Sequence, residues 1–509
     1  PDVAARPDFR ALRGVSHFLN REYEKARRDF DDPRLDGFSE IAIWRGATLA
    51  KLDEWNESAR QFRAGDSLLR EYPYPLLGRL GLERVEAALA TRDLQTAENW
   101  MAYLDKKPED LRRGELATLR YDQARVDLTN KDVEGARDIW NELAHGDDRR
   151  TAVRAEYALI NLGLKQGDLT VDEAVKRLEK LRFKWRGDDF ELGVLRRLGE
   201  LHIANNDYMS GLEIMRMAVT YFPNKPEAQK LAERMVDIFR SLYLDGKADK
   251  LPPLRALAIY DEFRELTPSG ADGDRMVELL ADRLIAVDLL DRATTLLDHQ
   301  VKFRLTGEEK ARVGAKLALI QLLDGKSEDA ITTLRQTNFP QLPRDLQDDR
   351  RRLLAKAYFE TGNKDEAIKL LAGDISQEAD MLRRDIYWSD ENWAEVAKVL
   401  QRLAGDPPDD PVVGVPDDKA RYVLNWAVAL RLNNDEDGLK RLAELFGKAM
   451  QYSSLASTYQ FVAKPIDNGS SAKLQDTIQQ LADSDLFNAF MNNYRDKLLK
   501  EPGKAAGQS

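Results

Sequence analysis

No cysteine occurs among the 509 residues. That excludes disulfide frameworks, thiolate nucleophiles, cysteine-ligated zinc and iron–sulfur clusters, and it fits an oxidising compartment, where stray thiols are a hazard. Histidine is nearly as scarce, with four in all. His17, His145, His202 and His299 stand far apart in sequence. Only His145 has an acidic residue close behind it, Asp148, and the intervening Gly146 reads as a turn, not as a helical metal face. No apolar run approaches the ~20 residues that span a bilayer. Alternating strand patterns are nearly absent. The phosphate-cradling G-x-x-x-x-G-K-[ST] and G-x-G-x-x-G signatures are missing, as is the nucleophile elbow G-x-S-x-G. A basic excess is also lacking: 78 Lys and Arg face 89 Asp and Glu, for a net charge of −11 and a pI near 5.3. This argues against nucleic acid as a partner.

What remains is a charged, folded helical chain. Hydrophobic residues make up 43% and charged residues 33%, with 16 Tyr, 17 Phe and 8 Trp to bury, a composition that can pay for order. Apolar spacing is helical almost throughout, as in Ala311 to Leu323 and Leu353 to Leu371. Four alanines recur 37 residues apart: Ala256, Ala293, Ala330 and Ala367. Each is followed four residues later by a large apolar side chain, Tyr260, Leu297, Leu334 and Leu371. A fixed period in this range is the mark of a repeat architecture.

The clearest unit runs from Leu195 through Leu198, Gly199 and His202, across the turn 205–208, to Gly211, Met215, Ala218 and Pro223. Small residues at 199 and 211 let two helices approach, larger ones fill the space beside them, and Pro223 stops the second helix. Gly14, Phe18, Ala26 and Phe30 form an earlier unit, and Gly46, Leu49, Ser58 and Phe62 the next. Ala97 with Met101, Ala136 with Trp140 and Ala174 with Leu178 mark three more. Ala355, Tyr358, Ala367 and Leu371 repeat the phasing, and Tyr387, Trp393, Val396 and Leu400 repeat it less closely. About a dozen units fit between residue 8 and roughly 445. The phasing resembles the tetratricopeptide repeat (TPR), in a degenerate form. The family's period is about 34 residues, and the extra length here falls in connections such as 244–253. Among TPR proteins, the size and composition resemble those of large bacterial envelope-associated ones.

The resemblance implies an all-α fold: a right-handed superhelix of TPR-like helical hairpins with a C-terminal helical cap. Breaks in the pattern divide it into N-terminal repeats (8–243), central repeats (254–403), and a last hairpin with C-terminal capping helices (417–499). A disordered tail is expected over 500–509. The proline-rich stretch 406–416 reads as an exposed loop. The helical pair at about 472–499 reads as a cap over the apolar end of the stack, with a docking helix as the other reading.

Reactive constellations are few. His202 fills a core slot of a repeat, so packing outweighs ligation. Acidic pairs such as Asp188-Asp189 read as solvated faces or helix N-terminal charge. The run Arg344, Arg350, Arg351, Arg352 reads as a helix start with compensating aspartates. The stretch Arg182-Phe183-Lys184-Trp185-Arg186 mixes cations with aromatics between two units. One reading makes Phe183, Trp185 and Phe190 a plug in the gap. The other makes Arg182, Lys184, Trp185 and Arg186 a partner-binding patch, since Arg and Trp are favoured at interface hot spots. Some TPR co-chaperones clamp a C-terminal carboxylate with a Lys/Asn/Arg set. Arg196, Arg197, Glu200 and Asn205, or Arg352, Lys356 and Glu360, give no full match to it.

The expected function is therefore a non-enzymatic protein–protein interaction scaffold without cofactor, metal or catalytic residues. Its setting is a bacterial envelope, secretion or motility assembly, and its partner is a protein, not nucleic acid. A chaperone binding client segments, and an enzyme with a site between solenoid and C-terminal helices, are the alternatives. The start at Pro1 suggests a trimmed or mature form whose targeting segment or anchor lies upstream. Periplasm or envelope is the expected location, with cytoplasm as the alternative.

Overall fold

The computed structural model describes residues 3–464 and 490, 491, 493 and 494, so most of the expected capping pair at about 472–499 and the tail over 500–509 lie outside the described residues. Among the described residues there are 25 α-helices and no strand. They divide into two compact units, Pro1–Met235 and Val236–Ser509.

Unit 1 holds α1 (Pro7–Leu19), α2 (Tyr23–Phe30), α3 (Ser39–Lys51), α4 (Trp55–Leu69), α5 (Leu76–Ala90), α6 (Leu94–Leu104), α7 (Arg113–Thr129), α8 (Val133–Ala144), α9 (Arg149–Gln166), α10 (Val171–Lys184), α11 (Asp189–Ala204) and α12 (Tyr208–Tyr221). Helix α13 (Pro226–Leu244) runs across the division. Unit 2 holds α14 (Pro253–Glu262), α15 (Ala271–Ala286), α16 (Leu290–Phe303), α17 (Gly307–Leu323), α18 (Ser327–Gln336), α19 (Arg344–Glu360), α20 (Lys364–Leu371), α21 (Gln377–Ser389), α22 (Trp393–Ala404), α23 (Asp417–Leu432), α24 (Glu436–Met450) and α25 (Ala456–Ala463). Odd and even helices up to α24 pair as the A and B members of twelve hairpins.

The small-residue phasing explains the pairing. The alanines at 256, 293, 330 and 367 lie on the B helices α14, α16, α18 and α20, each with no exposed surface. The matching A-helix position is Gly46 in α3, where a Cβ would sit 2.9 Å from the Phe62 ring of α4. In α11 it is Gly199, where a Cβ would meet Met215 at 2.7 Å. Ala124, Ala281, Ala318 and Ala355 hold the same place elsewhere and are fully buried. A larger residue there would force the two helices apart.

Ten hairpins close through the same three-residue turn. Its second residue has positive φ: Arg21, Asp53, Arg92, Lys131, Asn206, Asp288, Gly325, Gly362, Glu391 and Asn434. In the first turn Arg21 N–H donates to Phe18 O at 3.0 Å and Glu22 N–H to His17 O at 2.8 Å. The other nine repeat this two-bond pattern, which is the Schellman ending that satisfies the last carbonyls of a helix. Side-chain caps start several B helices, as Asp93, Asp132 and Asp435 accept from the backbone N–H of Thr96, Gly135 and Gly438. The fifth and seventh hairpins are the exceptions. The fifth closes through four residues, 167–170, with Gly167 at positive φ. In the seventh the connection is longer. It forms a short 3-10 turn, Lys247–Lys250, and Tyr243 donates to Ala256 O at 2.7 Å to tie α14 back.

Successive A helices also touch one another directly (α3 with α5, α5 with α7, α7 with α9, α17 with α19, α19 with α21), more closely than successive B helices do. Each stack therefore bends toward its A side. In unit 1 the carboxyl of Asp53, in the second A–B turn, is pushed up by desolvation and then by the charge of Asp189, with Lys225 opposing. The turn thus lies within electrostatic reach of the start of α11.

Candidate interaction surfaces

In the hairpins of α7, α11, α15 and α19, the residue after the small A-helix position is charged: Arg125, Glu200, Asp282 and Lys356. Two of these bridge neighbouring A helices and so define the A-helix face. Arg125 of α7 donates to Glu86 of α5 at 2.5 Å and to Asp122 at 3.0 Å. Lys316 of α17 pairs with Asp282 of α15. Arg154 of α9 lies over the Tyr121 ring of α7, its Cζ 4.6 Å from the centroid. Adjacent A helices are thus joined by a ladder of charges and aromatic rings.

Asp122 is the most perturbed group of this ladder. Burial, and next the negative charge of Glu86, push its carboxyl up to about 7, against the opposing pull of Arg125 and Arg154. The folded chain therefore binds a proton more tightly than the unfolded chain, whose aspartate titrates near ~3.9. Stability should rise as pH falls from about 7 toward 5, by about 1–2 kcal/mol. Asp282 and Asp385, also raised by burial, act in the same direction. Carboxylates held low, such as Asp374 at about 2, stay ionised in this window and lose their contribution only at more acid pH. The stability of α7, read by hydrogen exchange of its amides against denaturant at pH 5, 6 and 8, tests this: Asp122→Asn should flatten the slope, and an unchanged slope refutes it.

The Arg182–Arg186 stretch ends α10 and leads into α11. The structure brings Arg182 and Arg186 together on one ring. Their Cζ atoms lie 4.9 and 5.7 Å from the centroid of Phe183, which is 61% exposed. Phe183 is thus no plug; Phe190 fills that role by packing edge-on against Tyr157 at 5.6 Å. Arg182 also pairs with Glu179 at 3.1 Å. Trp185 is half-buried, its indole N–H without an acceptor among the described residues. Lys184 lines a shallow recess of about 260 Å³ with Arg149, Glu156 and Asp147, and its carbonyl accepts from the Arg149 guanidinium.

In unit 2 the A-helix face is covered at α19. Asp349, Arg352 and Lys356 stand at i, i+3 and i+7 on α19 and form one stripe. Tyr494 reaches it from far along the chain. Its hydroxyl accepts from Arg352 Nη1 at 3.1 Å and donates to Asp349 Oδ1 at 3.0 Å. Phe490, Met491 and Tyr494 are all buried in the unit 2 core, and the rings of Phe490 and Tyr494 lie 4.7 Å apart. The sequence presented Arg352, Lys356 and Glu360 as an incomplete anion clamp; the structure makes Arg352, with Asp349, the seat of a tyrosine, and pairs Lys356 with Glu360. The Arg344–Arg352 run opens α19, with aspartates compensating its charge. Arg351 pairs with Asp348, and Arg352 with Asp349 and Asp374. Arg350 is buried and donates to the carbonyls of Ala311 and Leu334.

His202 keeps its packing role, with Nδ1 3.1 Å from Asp207 Oδ2. Among the described residues no group of three or more acidic or histidine side chains is arranged to hold a metal ion, and no helix is long and apolar enough to cross a membrane.

No protein-family model matches the sequence, and no curated protein matches it. Solved structures similar in part include the APC/C hetero-tetramer Cut9–Hcn1, at 13% identity over 94% of this chain and 97% of that one, with a TM-score of 0.26. A Rap protein complexed with competence and sporulation factor matches at 13% identity over 72% and 98%, with a TM-score of 0.33. The apo quorum sensor NprR from B. thuringiensis matches at 11% identity over 72% and 92%, with a TM-score of 0.23. The assignment of the fold rests on this chain's own hairpins: by their small-residue register and their A-to-A contacts, the protein is a TPR-like, all-α helical-hairpin solenoid.

Proposed function

We propose that the protein is a non-enzymatic interaction scaffold whose A-helix faces hold segments of polypeptide. The observation that carries this reading is the seat of Tyr494: one A-helix face already accepts a helical stretch from outside the repeat stack. In unit 1 the equivalent face presents the ladder of Glu86, Tyr121, Arg125 and Arg154, and the Arg182–Arg186 stretch with its exposed Phe183 adds a second contact region. A pre-stacked surface of this kind loses little entropy when it grips a segment. A bacterial envelope, secretion or motility assembly belongs to the same proposal, and the absence of cysteine suits such an oxidising setting.

Site-directed photo-crosslinking tests it. A photo-reactive residue at position 86 or 154 should capture the same protein partner in cells, and one at Arg60, exposed on the B helix α4, should capture none. Substituting Arg182 and Arg186 together by alanine should weaken that capture at least about threefold. Equal capture from position 60, or none from 86 and 154, refutes the reading.

A further inference from the structure

The connection from α22 to α23 spans 405–416 and is the longest between a B helix and the helix after it in unit 2. It carries four prolines, at 407, 408, 411 and 416. With the first residues of α23 it presents five aspartates, at 406, 409, 410, 417 and 418, against one cation, Lys419. We propose that this loop is a docking epitope for a polypeptide segment that carries lysine or arginine beside an apolar side chain. The surface is separate from the A-helix faces and goes beyond their proposed role.

The loop is firmly held. Asp410 accepts from Val412 N–H at 3.0 Å and caps the 3-10 turn Pro411–Val413. Gly414, at a φ of +77°, packs so closely on the next connection that a Cβ there would stand 3.1 Å from Tyr452 O. Val415 is buried in the unit 2 core, and Ser454 donates to Asp417 Oδ1 at 2.7 Å. These ties leave Val412 and Val413 turned outward, 64% and 79% exposed, with the exposed Tyr452 beside Gly414. A single exposed valine is ordinary. Two in succession, on a loop whose next valine is buried, are held out by its geometry and cover nothing of the stack. Proline fixes φ, so the loop has little freedom to lose when a partner covers it.

The charges select the partner. Asp417 and Asp418 lie in the first turn of α23, where the helix dipole favours them, and Asp410 serves as a cap. Asp406 and Asp409 are exposed and begin no helix. Asp406 even follows the C-terminal end of α22, where a negative charge is unfavourable. Among the described residues none of the five pairs with a cation. Crowded like charges repel one another, and that cost stands until a cation reaches the loop. A second copy of this chain would set the same aspartates face to face. Nucleic acid and an anionic lipid surface would be repelled in the same way. The aspartates are not arranged to hold a metal ion. A cationic segment whose apolar side chain covers the two valines satisfies both features of the loop.

A phage-displayed library of random dodecapeptides tests this, panned on the full-length chain and counter-selected on the double variant Val412→Ser/Val413→Ser. Peptides that prefer the wild type should carry an aliphatic or aromatic residue flanked by Lys or Arg. A synthetic copy of one of them should bind the valine variant at least about tenfold more weakly. It should bind Asp406→Asn/Asp409→Asn, which keeps both valines and the cap at Asp410, at least about threefold more weakly and with a shallower salt dependence. Selected peptides that lack basic residues, or a selection in which none separates wild type from valine variant, overturn the proposal. So does self-association of the chain, or its binding to phosphatidylglycerol vesicles, if the valine variant abolishes it, because the patch then has another occupant. Capture from positions 86 and 154 reads the A-helix face alone, so failure here leaves the scaffold reading standing.

Discussion

Arg350→Met should cost the second unit about 3–5 kcal/mol, a large share of the 5–15 kcal/mol that holds a typical domain together. Arg350 is only 6% exposed. Its guanidinium donates to Ala311 O of α17, to Leu334 O of α18 at 2.6 Å, and to Thr337 Oγ1 at 3.1 Å. Burial disfavours the cation and holds its pKa below the usual arginine value. That cost is offset by carbonyl oxygens, among them Leu334 O at the end of α18, where the helix dipole is negative. Methionine fills much of the same volume but leaves buried acceptors without donors, and those acceptors lie on two helices of the preceding hairpin. Lysine should rescue little, because one ammonium cannot fork between α17 and α18 as a planar guanidinium does. Two compact units make a single global melting curve a poor measure. Hydrogen exchange of α17–α19 amides against denaturant is the suitable readout. A loss of less than 1 kcal/mol for Arg350→Met would show that water replaces the guanidinium.

Trp100→Ala should cost unit 1 a comparable 3–5 kcal/mol. Trp100 is 1% exposed and stands first among the largest fully buried side chains. Its ring packs edge-on against Tyr103 at 5.8 Å, and the Arg70 guanidinium lies over it, Cζ 5.1 Å from the centroid. Tyr103 in turn donates to Arg70 O at 2.8 Å, which joins the end of α4 to α6. Alanine would remove the largest ring of this cluster and leave a cavity that two packed helices cannot close. Phenylalanine should cost less than half as much, because it keeps most of the contact area and a face for Arg70. Exchange of α6 amides reads both variants, and equal losses for alanine and phenylalanine would show that the hydrogen bond of Tyr103, not the ring of Trp100, holds the corner.

The hairpins were legible because their determinants are local and periodic. Ala256, Ala293, Ala330 and Ala367 are small for the same reason each time, and all four lie fully buried on B helices. Turn residues were only partly legible. Asn206, Gly325 and Gly362 carry recognised turn chemistry, but Arg21, Arg92, Lys131 and Glu391 adopt the left-handed conformation too, and nothing in their side chains announces it. The position is set by where the A helix ends, not by residue preference. The exposed Phe183 was misjudged because an aromatic reads as core unless cations cover its faces, and Arg182 and Arg186 cover them only once the chain has turned at Trp185. The seat of Tyr494 was out of reach: its partners are 142 and 145 residues away, and no local pattern encodes so distant a pairing. A charged residue follows four of the small A-helix positions, at Arg125, Glu200, Asp282 and Lys356, and is a clue in the sequence to the A-helix face; Val15, Ala47 and Leu319 follow three others.

The uniform turn has an evolutionary consequence. Ten of the twelve A-to-B connections keep one length and one geometry, and added length on that rim is confined to 167–170 and 245–252. The opposite rim, where each B helix leads to the next hairpin, runs from the brief 304–306 to the long 405–416. It carries Ile375, 95% exposed, and the exposed pair Val412 and Val413. Lineages of this protein can lengthen that rim and acquire new contacts there without shifting the register of a single A helix. Divergence in partner choice is free to accumulate along one border while the other stays nearly fixed.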